Sequence, residues 1–382
     1  MRSSHRLPIL NTCGYLCLAL LGMYLAAYQS AIDSVALEFR MDAFQMGFLI
    51  AAHFIGSMAS PPLMGGMAGK FGMTAALTTA FALSGGGMAV MALSAHWAFF
   101  CAGVVLMGCG FAALESLLTS TLTMANPDAV GRTVNRSQMW FCIGAVVSAP
   151  VVNAFIVAGL GWRAAFWSLI PAYLALGYVF LRLLGTHRIS APEGESGVIP
   201  IPKYFLICMC IAMALYVGVE QGVGFFIGTH FVQTGQSALS APALSGFWGG
   251  MILGRMAGGH MKINHRSVTL WGLAGSVPLL LLLPHIPDVA GVAIFALVGL
   301  LISTCWPLLA TMVADRCTGP NALAMGWLMT AGACGGAACP PLIGYMVRFF
   351  GTGAGFALVA VLLAGIIALV AVGSASWIRR GH

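Results

Sequence analysis

Charge is what this sequence lacks. Only 7% of its 382 residues are Asp, Glu, Lys or Arg, against roughly a quarter in a water-soluble globular chain. With 60% hydrophobic residues and a mean hydropathy of +0.94, no water-exposed surface can be built. A polytopic membrane protein is expected. Paired-cysteine motifs are also missing. Most of the eleven Cys lie inside apolar runs, among them Cys13, Cys17, Cys101, Cys109 and Cys142. Cys208 and Cys210 face different sides of a helix. The cysteines therefore read as small apolar filler rather than a zinc or redox centre. The nine His show no HExxH spacing, so neither a metal nor a cofactor is expected. A GxxxxGK[ST] loop is absent, which disfavours an ATP-driven pump. The net charge of +7 does not point to nucleic acid, because the basic residues are thinly spread over many short loops. Nor is Met1–Arg6 expected to begin a cleavable signal peptide, since the apolar run from Leu7 is long and many more follow.

What is present is lipid-length apolar sequence. A membrane helix needs about 20 apolar residues, and twelve candidate spans can be drawn. Six run roughly 9–33, 43–68, 74–94, 97–124, 134–159 and 163–184. After the polar stretch 185–203 come 204–230, 240–261, 267–284, 289–314, 320–347 and 352–377. The expected fold class is an all-α protein of two six-helix bundles, 1–184 and 204–382, joined by a cytoplasmic linker, 185–203. Placing both termini in the cytoplasm puts fourteen of the 17 Lys and Arg in inside loops, leaving Arg40, Arg163 and Arg348 outside. That bias supports an N-in, C-in multi-pass protein of the cytoplasmic (inner) membrane.

Three of the ten acids sit in apolar context: Asp33, Glu115 and Glu220. A carboxylate within a span is costly by a few kcal/mol and is a functional candidate by default. The structural readings weigh against this. Asp33 could be interfacial at the end of its span, and Glu115 or Glu220 could simply bond a neighbouring helix. No Lys or Arg is expected in a span core to neutralise these acids. A buried acid without a charged partner favours its neutral form, which suits a proton carrier. Helical spacing puts Thr119 on the face of Glu115, Asn135 with Gln138, and Tyr216 with Glu220, beside Gln221. These groups suit a hydroxylated solute. Trp248 and Trp306 could stack on the apolar face of a sugar ring, although tryptophan more often packs bundles and interfaces. The lone His53 reads as packing. Gly and Pro in spans five and eleven (Pro150, Gly335, Gly336, Pro340, Pro341) read as bending points.

The halves resemble each other. GGMAGKFG (65–72) after span two matches LGRMAGGHMK (253–262) after span eight, with Gly65 and Gly254 189 positions apart. GAVVSAP (144–150) matches GACGGAACPP (332–341), with Gly144 and Gly332 188 apart. A duplicated six-helix unit places substrate sites between repeats near the midplane. Twelve spans in two repeats with this turn resemble the major facilitator superfamily over the whole chain. That resemblance implies a small-molecule transporter, not an enzyme. It also implies a cytoplasmic gate at Gly65, Gly69, Lys70 and Gly72, whose glycines would let span two pack on span eleven, with Arg255 as the second-copy basic residue. Where the family usually has Asp, this chain has Gly69. GCGFAALESLLTSTL, NRSQMWFCIGAVVSAPVV and GWRAAF are similar to the fucose, galactose and glucose proton-symporter branch. This implies coupling acids at Glu115 and Asp33, a sugar solute, protons as partners and a monomer. Efflux of amphipathic drugs is the alternative; Ala149-Pro150-Val151 fits the exporter pattern poorly, while 22 Met and 22 Phe keep it open. Organic acids are less favoured because no span-centre cation is expected. A sensor or assembly role would need an added soluble domain.

Overall fold

A computed structural model describes residues 6–185, 203–260, 265–286, 288–314 and 322–378. Among the described residues there are thirteen α-helices and no strand. They are α1 (Arg6–Phe39), α2 (Ala43–Phe71), α3 (Met73–Leu93), α4 (Trp97–Ala125), α5 (Val130–Val157), α6 (Arg163–Leu184), α7 (Lys203–Gln233), α8 (Ser240–His260), α9 (His265–Leu282), α10 (Asp288–Ile302), α11 (Cys305–Ala314), α12 (Ala322–Phe350) and α13 (Thr352–Ile378). Ten stretches are long and apolar enough to cross a membrane, one of them running through α10 and α11. With α8 and α12 they account for the twelve expected spans. The expected linker 185–203 lies, apart from its ends, outside the described residues.

The chain divides into two compact units. Unit 1 comprises residues 1–40 and 52–192; unit 2 comprises 41–51 and 193–382. Local chemistry fixes the helix starts. Asp42 and Gln45 form a reciprocal capping box at α2: the Gln45 backbone N–H donates to Asp42 Oδ1 and the Asp42 N–H to Gln45 Oε1, each at 2.9 Å. This satisfies two helix-end donors that would otherwise be orphaned. His96 caps α4 by accepting from the Ala98 N–H at 3.2 Å.

Both units use the same pairing scheme. The first helix packs on the fifth and sixth, and the third on the sixth: α1 on α5 and α6, α3 on α6, then α7 on α12 and α13, α9 on α13. Second and fourth helices meet through glycine in both. A Cβ at Gly108 of α4 would strike the His53 carbonyl of α2, and one at Gly299 of α10 would strike the Phe247 carbonyl of α8. Gly56 against Val105 and Gly250 against Ala296 repeat the contact from the other side. By this packing Gly250 follows Gly56 by 194 positions and Gly299 follows Gly108 by 191. The register of the duplication therefore differs from the 188–189 suggested by matching Gly-rich strings, because contact position, not string similarity, defines equivalence.

One expected span is not a single helix. Span ten breaks at Ser303–Thr304, between α10 and α11. Pro307 has no N–H to donate to the Ser303 carbonyl four residues back, and its ring crowds that carbonyl. The break is stabilised by side chains. Ser303 Oγ donates to Leu300 O at 2.7 Å, and the Thr269 and Thr304 hydroxyls lie 2.9 Å apart. By contrast, α5 and α12 run unbroken through Pro150, Pro340 and Pro341, so those prolines do not interrupt their helices.

Candidate functional site

In unit 1, α4 is held closely by its neighbours. Glycines at 103, 108 and 110 let α2 and α3 approach backbone to backbone. Two turns beyond Gly108, Glu115 emerges half-buried. Gln138 of α5, also half-buried, donates its Nε2 hydrogen to Glu115 Oε1 at 3.3 Å. One turn further along α4, Thr119 Oγ1 is buried with no hydrogen-bond partner in the structure. Asn135, one turn before Gln138 on α5, is exposed. A carboxylate with an amide donor, an unsatisfied hydroxyl and an exposed amide can exchange hydrogen bonds with a hydroxylated ligand. A buried polar group left unsatisfied is costly, and a ligand that bonds it recovers that cost. Asp33 is half-buried and helical. It lies six residues inside α1, which continues to Phe39, so it is not at the end of its span.

In unit 2, Glu220 and Gln221 of α7 are buried, at 8% and 6% exposure, one turn from the fully buried Tyr216. Arg255 of α8 is only 6% exposed. Glu220, Arg255 and Cys305 all lie close enough to act electrostatically on the Tyr216 hydroxyl. Arg255, counted in the sequence among the inside-loop charges, is thus buried within α8, five residues from its end. Arg255 is near the end of its apolar run, and for that reason reads as a loop residue in the sequence. Trp306 is half-buried and follows the helix break directly. Trp248 is different. It is fully buried and meets Phe247 edge-on at 5.6 Å, so here it fills the unit and offers no accessible face for stacking.

The turn after α2 is open. Cβ atoms added at Gly65, Gly66, Gly69 or Gly72 would meet nothing within 4 Å among the described residues. Gly72 is required for another reason: its φ of +91° breaks α2 from α3, a conformation that strains residues with a Cβ. Lys70 Nζ lies 5.2 Å from the centre of the Phe71 ring.

Two clusters carried little sequence signal. Within unit 1, His53 Nδ1 pairs with Tyr24 Oη at 3.3 Å, among the rings of Tyr28, Phe54 and Phe111. Tyr24 and Tyr28, four apart on one helical face, and the intramembrane His53 are the hints of it. At the other cluster, Arg163 makes a two-pronged bond to Glu38 at 2.7 Å for each nitrogen. Arg163 also donates to Ser94 O at 2.7 Å and stacks on Trp162, whose Nε1 donates to Glu38 at 2.9 Å. Both charged residues read as loop charges in the sequence. Among the described residues no group of three or more His, Cys, Asp or Glu could hold a metal ion.

Two units of membrane-length helices, with acids and amides inside them, define a multi-pass membrane protein. The Major Facilitator Superfamily model matches residues 14–261, and the chain belongs to that family, whose members move solutes and are not enzymes. Similarity to curated proteins is partial. The chain is 27% identical over 150 residues to a putative uncharacterized transporter, YgaY, of Escherichia coli K12, spanning 38% of its length. It is 28% identical over 200 residues to the E. coli 3-(3-hydroxy-phenyl)propionate transporter, spanning 48% of that protein. Against the Bacillus subtilis glucose/mannose transporter GlcP it is 22% identical over 309 residues, covering 76% of this chain and 73% of GlcP. A crystal structure of the E. coli fucose:proton symporter FucP matches with a TM-score of 0.66 at 16% identity, over 94% of this chain and 98% of that one. At that identity the match speaks to fold.

Proposed function

We propose that this transporter is a proton-coupled secondary carrier of a small polar solute, a sugar in the first instance, working by alternating access as a monomer in the inner membrane. We infer two six-helix repeats, 1–184 and 204–382, joined through 185–203, with both termini cytoplasmic; the compact units depart from these bounds at 41–51, which group with the second. The observation that carries the reading is the Gln138–Glu115 hydrogen bond beside the unsatisfied Thr119 hydroxyl. As a carboxylate, Glu115 accepts from Gln138; once protonated, it becomes a donor as well. A proton thereby changes what the site offers a solute. Asp33 is the second coupling candidate. Asn135, Gln138, Thr119, Glu220, Gln221 and Trp306 are proposed to bind solute. Gly65, Gly69, Lys70, Gly72 and Arg255 are proposed to serve the gate. The sugar reading draws on the names of GlcP and FucP and on this amide and hydroxyl chemistry.

A second reading has a specific observation behind it. The buried Arg255 near Tyr216 and Glu220 could neutralise a carboxylate, and one relative is named for an aromatic carboxylate. A panel of solutes in proteoliposomes with an imposed pH gradient separates the readings. Sugar-dependent proton movement supports the first, and aromatic-acid-dependent movement supports the second. Movement only with hydrophobic cations overturns both in favour of efflux.

A further inference from the structure

Away from every polar residue above, unit 1 carries a groove of about 470 Å³ where the first turns of α1 meet the second half of α6. Ile9 and Leu16 line it from α1, Leu176 and Val179 from α6. Its few polar atoms are bonded within the two helices. Thr12 Oγ1 donates to Pro8 O at 2.9 Å, and Cys13 Sγ reaches Leu176 O at 3.7 Å. Both walls belong to membrane-length spans, Leu7–Phe39 and Arg163–Leu184. A groove so lined takes a hydrocarbon chain more readily than water.

Just past the lining residues of α6 stands a charge. Arg182 lies one turn beyond Val179 on the same face of α6, exposed and two residues from the end of its span. Tyr178 holds it there. Arg182 Nε donates to Tyr178 Oη at 3.0 Å, and the guanidinium lies 5.1 Å from the centre of that ring. An Arg and a Tyr at a span end sit at headgroup depth. Residues 1–32 and 163–184 contain no Asp or Glu, so nothing acidic on these stretches competes for that guanidinium.

We propose that this groove is a binding site for an anionic phospholipid, with one acyl chain between α1 and α6 and its phosphate on Arg182. The site is separate from the solute residues and does not depend on which solute is carried. A guanidinium recognises phosphate oxygens through charge-assisted hydrogen bonds, and the apolar walls fix the chain beside it.

The test uses the purified full chain in mild detergent, incubated with phosphatidylglycerol and phosphatidylcholine of identical acyl chains and read by native mass spectrometry. Phosphatidylglycerol is expected to be retained about five-fold over phosphatidylcholine, the factor for one basic side chain at an anionic membrane surface. Arg182→Gln should bring the ratio to about one, with elution and thermal stability unchanged. Leu16→Trp, which fills the groove, should lower retention of both lipids. Equal retention by the unaltered protein overturns the proposal. So does a preference that survives both substitutions, since that is ordinary bulk lipid attraction.

Discussion

Helix four of unit 1 and its counterpart in unit 2 start from the same contact and diverge within two turns. Gly108 meets the His53 carbonyl; Gly299 meets the Phe247 carbonyl. Seven residues beyond Gly108 stands Glu115, in an unbroken helix. Seven beyond Gly299 stands Trp306, just after the break at Ser303–Thr304. Equivalent positions thus carry a titratable acid on a continuous rod in one unit and an aromatic ring beside an interrupted backbone in the other. The duplicated scaffold preserves how the helices pack. What the two copies place at that depth has separated: a carboxyl bonded to an amide on one side, a hydrogen-bonded break in the helix on the other.

The comparison breaks most severely at its shared anchor. Gly108→Leu and Gly299→Leu should each force a side chain into the facing backbone, costing about 1–3 kcal/mol or the folded protein itself. Thermal unfolding in detergent should show the two losses to be similar. A large effect at only one glycine would mean the two contacts are not equivalent. Pro307→Ala should act in the opposite direction. Restoring the missing donor allows the helix to close through 303–304, with a gain of up to about 3 kcal/mol, while transport turnover falls. Unchanged turnover would remove the break from the transport cycle.

The sequence carried the class and the span positions well, because long apolar runs and a shortage of charge leave few other architectures. It also singled out Glu115 with Gln138, since an acid in an apolar helix stands out and polar spacing on the next helix suggests its partner. The break at Pro307 was not legible. Pro150, Pro171, Pro278 and Pro340 all sit within continuous helices, so proline alone does not say which helix yields. It yields where Ser303 and Thr304 supply local hydrogen bonds. Arg255 was misread for a related reason: distance along the chain from an apolar centre is a poor measure of burial once helices pack. For Trp248 the packing reading, the commoner one for tryptophan, is the one the structure shows.

Smaller effects sharpen the contrast further. Trp306→Ala should weaken apparent solute affinity by about two- to ten-fold, the range for one aromatic stacking contact, without moving the pH dependence of uptake. Substituting the enclosed Trp248 should lower stability more than affinity. Smallest of all, Glu38→Gln should reduce stability by only about 0.2–1 kcal/mol, because the Arg163–Glu38 pair is part-exposed, at 31% and 42%. Chemical denaturation of the two forms would measure this.

On the proposed function, Glu115 links solute movement to protons. The direct measurement compares uphill uptake with counterflow exchange in proteoliposomes for the unaltered protein and Glu115→Gln. Glutamine keeps the shape and the hydrogen bonding to Gln138 but cannot carry a proton. The expected result is loss of pH-driven accumulation with exchange retained. Accumulation against a gradient at the unaltered level in Glu115→Gln would contradict the account.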